Sequence, residues 1–159
     1  MAFGDIFSGT IRLTPVGEIA ARYWYEIHNH VHYVDLDQFI IMPNHIHAIV
    51  IILDRLAANA NHSGRGVQLN APTTRDYHSR ISPTRNSLGV IIRTYKAAVT
   101  IGCRNNGYPE FQWQRNYFEH IIRNERSLQK IREYIVANPW RWNRDKNNPD
   151  RSRNDEFGK

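Results

Sequence analysis

Thiols, membrane spans and nucleotide-binding loops are what this sequence has least of. Its 159 residues include one cysteine, Cys103, which excludes an intramolecular disulfide framework and a thiolate zinc cluster. No apolar run approaches the roughly 18 residues of a membrane span, the first residues lack the basic-then-apolar layout of a signal peptide, and no Gly-x-x-x-x-Gly-Lys loop occurs. We therefore expect a cytoplasmic protein without a membrane partner, in which any metal is held by nitrogen and oxygen.

Acidic residues are scarce in the second part of the chain. Residues 1–54 carry 2 Lys/Arg and 6 Asp/Glu, whereas residues 55–159 carry 19 and 9, for a net charge of +6 overall. Most of these cations are arginines, which bind phosphate oxygens through two nitrogens and stack on bases. The charge distribution therefore favours a nucleic-acid partner over a membrane surface.

Two histidines separated by one residue, His45 and His47, stand at the head of an apolar run, directly after the turn residues Pro43 and Asn44. Side chains alternate between the faces of a strand, so His45, His47, Ile49 and Ile51 share one face if this run is extended. Two imidazoles on one face can bind a single ion. An isolated pair of this kind is, however, more often two solvated side chains, so the metal hypothesis needs support from elsewhere in the chain.

The rest of the sequence divides into short elements of one domain, residues 1–142. Apolar periodicity, turn residues and capping residues predict a hairpin over 3–13, a helix over 15–28 and an antiparallel hairpin of strands 34–42 and 45–53 at the centre of a sheet. After a mobile connection over 56–85 come a helix opening at Ser82-Pro83 and ending near Ile101, extended segments over 111–122 and a helix over 126–138 that Pro139 ends. Residues 143–159 are predicted to be a disordered polar tail.

The last predicted helix supplies the support that the histidine pair needs. Tyr134 and Asn138 are four residues apart, so both side chains emerge on one helix face. Two imidazoles and one amide oxygen suit Mg²⁺ or Mn²⁺ and leave positions open for phosphate oxygens. A tyrosine hydroxyl beside such an ion can attack phosphorus. An amphipathic helix also uses tyrosine for ordinary boundary packing, which is the alternative interpretation of Tyr134.

Three blocks of sequence resemble the REP-associated tyrosine transposases, members of the HUH single-tyrosine transposase superfamily. They are Val34 to Ile52, which includes Met-Pro-Asn-His-Ile-His; Asn86 to Thr100; and Trp113 to Pro139, which includes Trp-Gln-Arg-Asn-Tyr-Phe-Glu-His-Ile-Ile-Arg and Tyr-Ile-Val-Ala-Asn-Pro. Each block alone is a weak signal. With the helix around Gly17 to Trp24, the resemblance covers most of residues 1–142.

The resemblance implies an α+β fold, an antiparallel sheet flanked by helices as in HUH endonucleases and ferredoxin- or RRM-like domains. It assigns His45, His47 and Asn138 to the metal and Tyr134 to the nucleophile. Family members nick and rejoin single-stranded DNA, often at repeat hairpins, through a 5′-phosphotyrosine. Relatives usually carry a strand before the segment that here begins at Ala2, so the sheet is expected to lack its usual first strand.

Other functional residues and activities stay open from the sequence. Tyr117 is the alternative nucleophile. A catalytically silent DNA-binding module and a metal-dependent phosphoesterase are the alternative functions, and the protein is expected to be a monomer or a homodimer near the nucleoid. Candidate DNA contacts in the basic part of the chain are Arg115, His120, Arg123, Arg126 and Arg132.

Overall fold

A computed structural model describes residues 2–53 and 87–151 of the chain. These residues form two antiparallel hairpins and four helices, so the fold is α+β. The predicted loop over 56–85 and the predicted helix start at Ser82-Pro83 lie outside the described residues. The strands and helices are β1 Gly4–Phe7, β2 Thr10–Leu13, α1 Pro15–Tyr25, α2 Ile27–His30, β3 Val34–Ile41, β4 Ile46–Ile52, α3 Leu88–Asn105 and α4 Glu125–Arg141.

The first hairpin and the start of α1 follow local sequence signals and confirm the prediction. Ser8 and Gly9 both have positive φ, 51° and 76°, which is the backbone of a two-residue hairpin turn. The Thr14 hydroxyl then accepts a hydrogen bond from the Gly17 N–H at 3.2 Å, and Pro15 occupies the first helical position. The helix ends at Tyr25 rather than His28, because the helix is interrupted at Glu26 before the short helix α2 begins at Ile27.

The main hydrophobic core lies between α1, α3 and one face of the β3–β4 hairpin. Ile19, Ala20 and Trp24 of α1 are buried as the apolar stripe predicts. The Trp24 ring stacks on Phe39 of β3 with centroids 4.7 Å apart and meets Tyr95 of α3 edge to face at 5.5 Å. Stacked and edge-to-face aromatic contacts of this kind add about 1 kcal/mol each to the burial of apolar area, so this cluster fixes the hairpin against the helices.

The β3–β4 hairpin contains a β-bulge that the sequence pattern does not reveal. The pairs Leu36–Val50 and Phe39–Ala48 leave Asp37 and Gln38 both opposite Ile49. The extra residue shifts the alternation of side chains by one position. As a result Val34, Leu36, Phe39 and Ile41 all pack into the main core, although they do not follow one period of two.

The position of this hairpin corrects one prediction. We expected β3 and β4 at the centre of a sheet, but among the described residues each hairpin is a separate two-stranded sheet. The β3–β4 hairpin is instead covered on both faces, because α1 contacts β3 from the core side and α4 packs on β3 and β4. Helices therefore cover the faces of this hairpin, while its outer edges pair with no strand among the described residues.

The segment before α4 is not paired as a strand. Phe111 is buried, and the Trp113 indole N–H donates to the Lys96 carbonyl at 2.9 Å. From Gln114 onward the backbone is irregular and most side chains, Phe118 among them, are exposed. The extended segments predicted over 111–122 thus have no strand partner among the described residues.

The C-terminal helix runs further than the sequence predicts. The Asn124 side chain caps it by accepting from the Ser127 N–H at 2.8 Å, but α4 continues through Pro139 to Arg141. An internal proline removes one hydrogen bond and costs about 3 kcal/mol in a helix interior. Here Pro139 and Trp142 are both buried, and that packing stabilises the last turn.

Part of the predicted disordered tail is packed. After a 3₁₀ turn over Trp142–Arg144, the side chain of Asn148 is buried and donates to the Trp142 carbonyl at 3.2 Å. The Asn44 side chain also donates to the Asn147 carbonyl at 2.7 Å. The tail boundary at residue 143 is therefore wrong for the residues up to Arg151, and residues 152–159 lie outside the described part.

Candidate metal centre and nucleophile

The turn between β3 and β4 places His45 and His47 side by side. The Met42 N–H donates to the His45 carbonyl at 2.8 Å, which closes the turn at Pro43-Asn44. The two imidazole rings are perpendicular, with centroids 4.6 Å apart, and their Nε2 atoms are separated by 2.9 Å. The prediction that the two histidines share one face of the strand is confirmed.

Helix α4 crosses this face and brings one side chain per turn to the histidines. The Tyr134 ring meets the His47 ring at 5.5 Å, and the Trp142 ring lies 6.1 Å from the His45 ring. Residues 134, 138 and 142 are four apart, so they follow one side of the helix. The structure thus brings Tyr134 to the histidine pair, and Asn138 lies one turn further along the same side of the helix.

Asn138 is an unusual residue at this position. Its side chain is 1% exposed, and no described residue makes a hydrogen bond to the buried Nδ2 atom. A buried amide nitrogen without a partner costs about 1 to 3 kcal/mol. The oxygen of the same amide is the atom through which Asn138 could ligate a cation.

The electrostatics of the pair favour neutral imidazoles. Burial lowers the pKa of His45 to about 4, helped by the nearby His47 and opposed by the carboxylate of Asp145. Burial also lowers the pKa of His47, again opposed by Asp145. Because metal ions bind the unprotonated ring nitrogen, both histidines are ready to ligate at neutral pH.

The spacing of the two imidazoles is compatible with one divalent cation. Two ligands at right angles about 2.1 Å from one ion are about 3.0 Å apart, close to the 2.9 Å between the two Nε2 atoms. Across residues 2–53 and 87–151, no three or more His, Cys, Asp or Glu side chains form a group that could hold an ion.

The lowered histidine pKa values predict an acid-sensitive fold. Unfolded chains bind a proton at His45 below about pH 6.5, whereas the folded protein does so only below about pH 4. The free energy of unfolding should therefore fall as the pH decreases from 6.5 toward 4. We expect a loss of about 1 to 2 kcal/mol after allowance for solvent screening.

This pH dependence is measured by urea unfolding of the metal-free protein at pH 7.0 and pH 5.0, above the range in which ordinary carboxylates titrate. The variant His45→Gln removes one of the two titrating rings and should reduce the dependence. An equally steep dependence in His45→Gln would show that another group is responsible.

Four of the five candidate DNA-contacting residues are exposed, and the fifth is held in an ion pair. Arg115, His120, Arg123 and Arg126 are exposed. Arg132 differs from these four residues, because its guanidinium holds Asp37 of the bulge through contacts of 2.7 to 3.2 Å and also approaches Glu125 at 3.5 Å. That pairing lowers the pKa of Asp37 and fixes α4 to β3.

Two residues of the site were missed from the sequence. Asn44 Oδ1, an acceptor, lies 2.8 Å from the ring Nδ1 of His45, and Asp145 is the acidic group that acts on both histidines. Asn44 directly precedes the histidine pair, so its position was a usable signal. Asp145 had none, because it reaches the site only through the fold of the segment after Trp142.

Comparison with known proteins finds a relative that matches most of this chain. A protein of Haemophilus influenzae described as uncharacterized is 36% identical to it over 143 residues, which is 90% of this chain and 75% of the relative. The chain belongs to the family of that protein. No protein-family model matches the chain, and no solved structure matches it.

The family relationship extends over the candidate site. A matched stretch of 143 residues in a chain of 159 contains residues 17–143 wherever it begins. The aligned region therefore includes the β3–β4 hairpin with His45 and His47 and the whole of α4. No helix among the described residues of this family member is both long enough and apolar enough to cross a membrane.

Proposed function

We propose that this protein is a metal-dependent nuclease and strand transferase for single-stranded DNA, with Tyr134 as its nucleophile. The observation that carries the proposal is the contact of Tyr134 with His47, whose Nε2 lies 2.9 Å from that of His45. The resemblance to REP-associated tyrosine transposases supports it, and the HUH type of fold is part of the proposal. A packing tyrosine needs no histidine pair beside it, whereas a nucleophilic tyrosine needs a group that polarises its target.

The proposed reaction exchanges one phosphodiester for another. The Tyr134 oxygen attacks phosphorus and loses its proton, while the bond from phosphorus to the 3′-oxygen breaks and that oxygen takes up a proton. The products are a 5′-phosphotyrosine and a free 3′-hydroxyl. Attack of a 3′-hydroxyl on the adduct reverses the exchange and restores the tyrosine, so joining needs no nucleotide cofactor.

His45, His47 and the Asn138 oxygen would hold Mg²⁺ or Mn²⁺. Such an ion polarises the phosphoryl oxygens and offsets the charge that develops on them. Tyr134 is 44% exposed, so a DNA strand can reach its hydroxyl, while the buried Asn138 is sheltered from bulk water. The proposed metal ligand Asn138 is therefore buried, while the proposed nucleophile Tyr134 is accessible to a DNA strand.

The surface charge supports single-stranded or hairpin DNA as the substrate. The exposed Arg115, Arg123 and Arg126 belong to the part of the chain that carries 19 Lys/Arg against 9 Asp/Glu. Tyr117 and Phe118 lie between these cations and are exposed, and bases of unpaired strands stack on aromatic rings of this kind. We propose a cytoplasmic, nucleoid-associated protein that acts as a monomer or a homodimer.

The test of this function is a covalent adduct with a defined polarity. The protein is incubated with a hairpin DNA labelled at its 3′ end and Mn²⁺, and a denaturing gel should show label on the protein. The same DNA labelled at its 5′ end should give a shortened free strand and no labelled protein, because the adduct forms on the 5′ phosphate. EDTA should abolish both products, and Mn²⁺ in excess should restore them.

Other outcomes would select the other functions. Shortened strands with neither label on the protein would indicate a metal-dependent phosphoesterase. Bound but uncut hairpin at every Mn²⁺ and Mg²⁺ concentration would indicate a silent DNA-binding module. Because target sequence matters for such enzymes, a pool of hairpins with randomised loops is the substrate, and a duplex of the same composition is the control.

A further inference from the structure

Asn44 joins the histidine pair to the C-terminal segment through a chain of hydrogen bonds. Its Nδ2 lies 2.7 Å from the Asn147 carbonyl oxygen, and its Oδ1 lies 2.8 Å from His45 Nδ1. His45 Nε2 then lies 2.9 Å from His47 Nε2. Asn147 is itself held in place, because its N–H donates to Asp145 Oδ1 at 2.8 Å and the neighbouring Asn148 is buried.

The Asn147 carbonyl, at one end of this series of hydrogen bonds, determines where each of its protons lies. A backbone carbonyl can only accept, so the group of Asn44 that faces Asn147 must be the NH₂ and the group that faces His45 must be the oxygen. An amide oxygen can only accept, so His45 Nδ1 carries a hydrogen. In a neutral ring His45 Nε2 is then an acceptor, and the hydrogen between the two rings belongs to His47 Nε2.

We infer that Asn44 is a positioning residue that sets His45 in the metal-binding tautomer, while the metal-free protein holds His47 in the opposite one. This inference rests on the proposed function only in assigning the ion to both Nε2 atoms. An ion held by both Nε2 atoms would require His47 in the Nδ1–H form, so His47 would have to change tautomer. Partners that fix the far nitrogen of a ligating histidine commonly change metal affinity by about 10- to 100-fold.

The C-terminal segment thereby becomes part of the metal centre without supplying a ligand. Trp142 packs beside the His45 ring, and Asn147 holds the Asn44 amide in the orientation that His45 requires. Without that carbonyl the Asn44 amide could rotate and present its NH₂ to His45, which would favour the tautomer with a hydrogen on Nε2. That tautomer cannot ligate through Nε2.

The test is the ring nitrogen spectrum of the metal-free protein at pH 7. With uniform ¹⁵N labelling, the two-bond correlations of each imidazole show which nitrogen carries the hydrogen. We expect His45 as the Nδ1–H form and His47 as the Nε2–H form, and addition of Zn²⁺ as a diamagnetic probe should convert His47 to the Nδ1–H form. The inference would be overturned if His45 and His47 had the same tautomer in the metal-free wild type, or if His45 were in the Nε2–H form.

Three variants separate positioning from folding. Asn44→Asp keeps an acceptor for His45 and should keep its tautomer, whereas Asn44→Ala should give His45 a mixture of tautomers and weaken Mn²⁺ binding by about 10- to 100-fold. Asn29→Ala is the control, because Asn29 is exposed on α2. An unchanged His45 tautomer in folded Asn44→Ala would refute the role. If the wild type binds no Mn²⁺ at all, the metal proposal fails, but the metal-free spectrum still decides the placement of the protons.

Discussion

Replacing Tyr134 with phenylalanine is expected to abolish the protein–DNA adduct, by more than about 10³-fold, because the substitution removes the only atom that attacks phosphorus. The ring and its contact with His47 are kept. Tyr134 is 44% exposed and accounts for no hydrogen bond among the described residues, so stability should change by less than about 0.5 kcal/mol. Affinity for uncut hairpin DNA should likewise stay near the wild-type value.

Tyr117 provides a matched control for this experiment. Its side chain is also 44% exposed, and it makes no ring contact with either histidine among the described residues. Tyr117→Phe should therefore keep the adduct. An adduct that survives in Tyr134→Phe and disappears in Tyr117→Phe would move the nucleophile to Tyr117. If both variants still form the adduct, neither Tyr134 nor Tyr117 is the sole nucleophile.

The comparison of prediction and structure separates local signals from distant ones. His45 and His47 share a face because strand alternation is a local property, and Thr14 with Pro15 starts a helix through its own hydrogen bond. The bulge at Asp37 has no such local cause. Its carboxylate is held by Arg132, 95 residues away, and a contact at that distance leaves no pattern in the residues around it.

Packing also explains the two errors at the end of the chain. Pro139 predicted a helix end because a proline removes one backbone donor, yet burial of Pro139 and Trp142 keeps the helix to Arg141. The polar residues after Trp142 predicted disorder, but Asn44 and Trp142 provide hydrogen-bond partners for Asn147 and Asn148. In both places the deciding partner belongs to a different element, and both places adjoin the histidine pair.

Asn138 leads to the prediction in which stability and function should change in opposite directions. Leucine has the same number of side-chain heavy atoms as asparagine and the same branching, and it is the better helix former. Asn138→Leu should therefore raise the free energy of unfolding of the metal-free protein by about 1 to 2 kcal/mol, since a buried amide nitrogen without a hydrogen-bond partner is removed. The same variant should lose Mn²⁺ affinity by at least about tenfold and lose the adduct. Urea unfolding and Mn²⁺ titration measure the two effects.

The second buried asparagine serves as the control, and metal supplies the decisive comparison. Asn148 donates to the Trp142 carbonyl and accepts from the Asp150 N–H, so Asn148→Leu should destabilise the protein by about 1 to 3 kcal/mol. Mn²⁺ at 100 times its dissociation constant stabilises a binding protein by about 2.7 kcal/mol. For Asn138→Leu, a tenfold weaker affinity would reduce this stabilisation to about 1.4 kcal/mol. Mn²⁺ should thus lower the stability advantage of Asn138→Leu over the wild type by about 1.3 kcal/mol after a tenfold loss of affinity, and should reverse it if the variant does not bind Mn²⁺. A destabilised Asn138→Leu that still binds Mn²⁺ would show that Asn138 supports the fold. A residue that serves only to bind the metal lowers the stability of the metal-free protein, so its replacement by leucine should raise that stability and weaken Mn²⁺ binding.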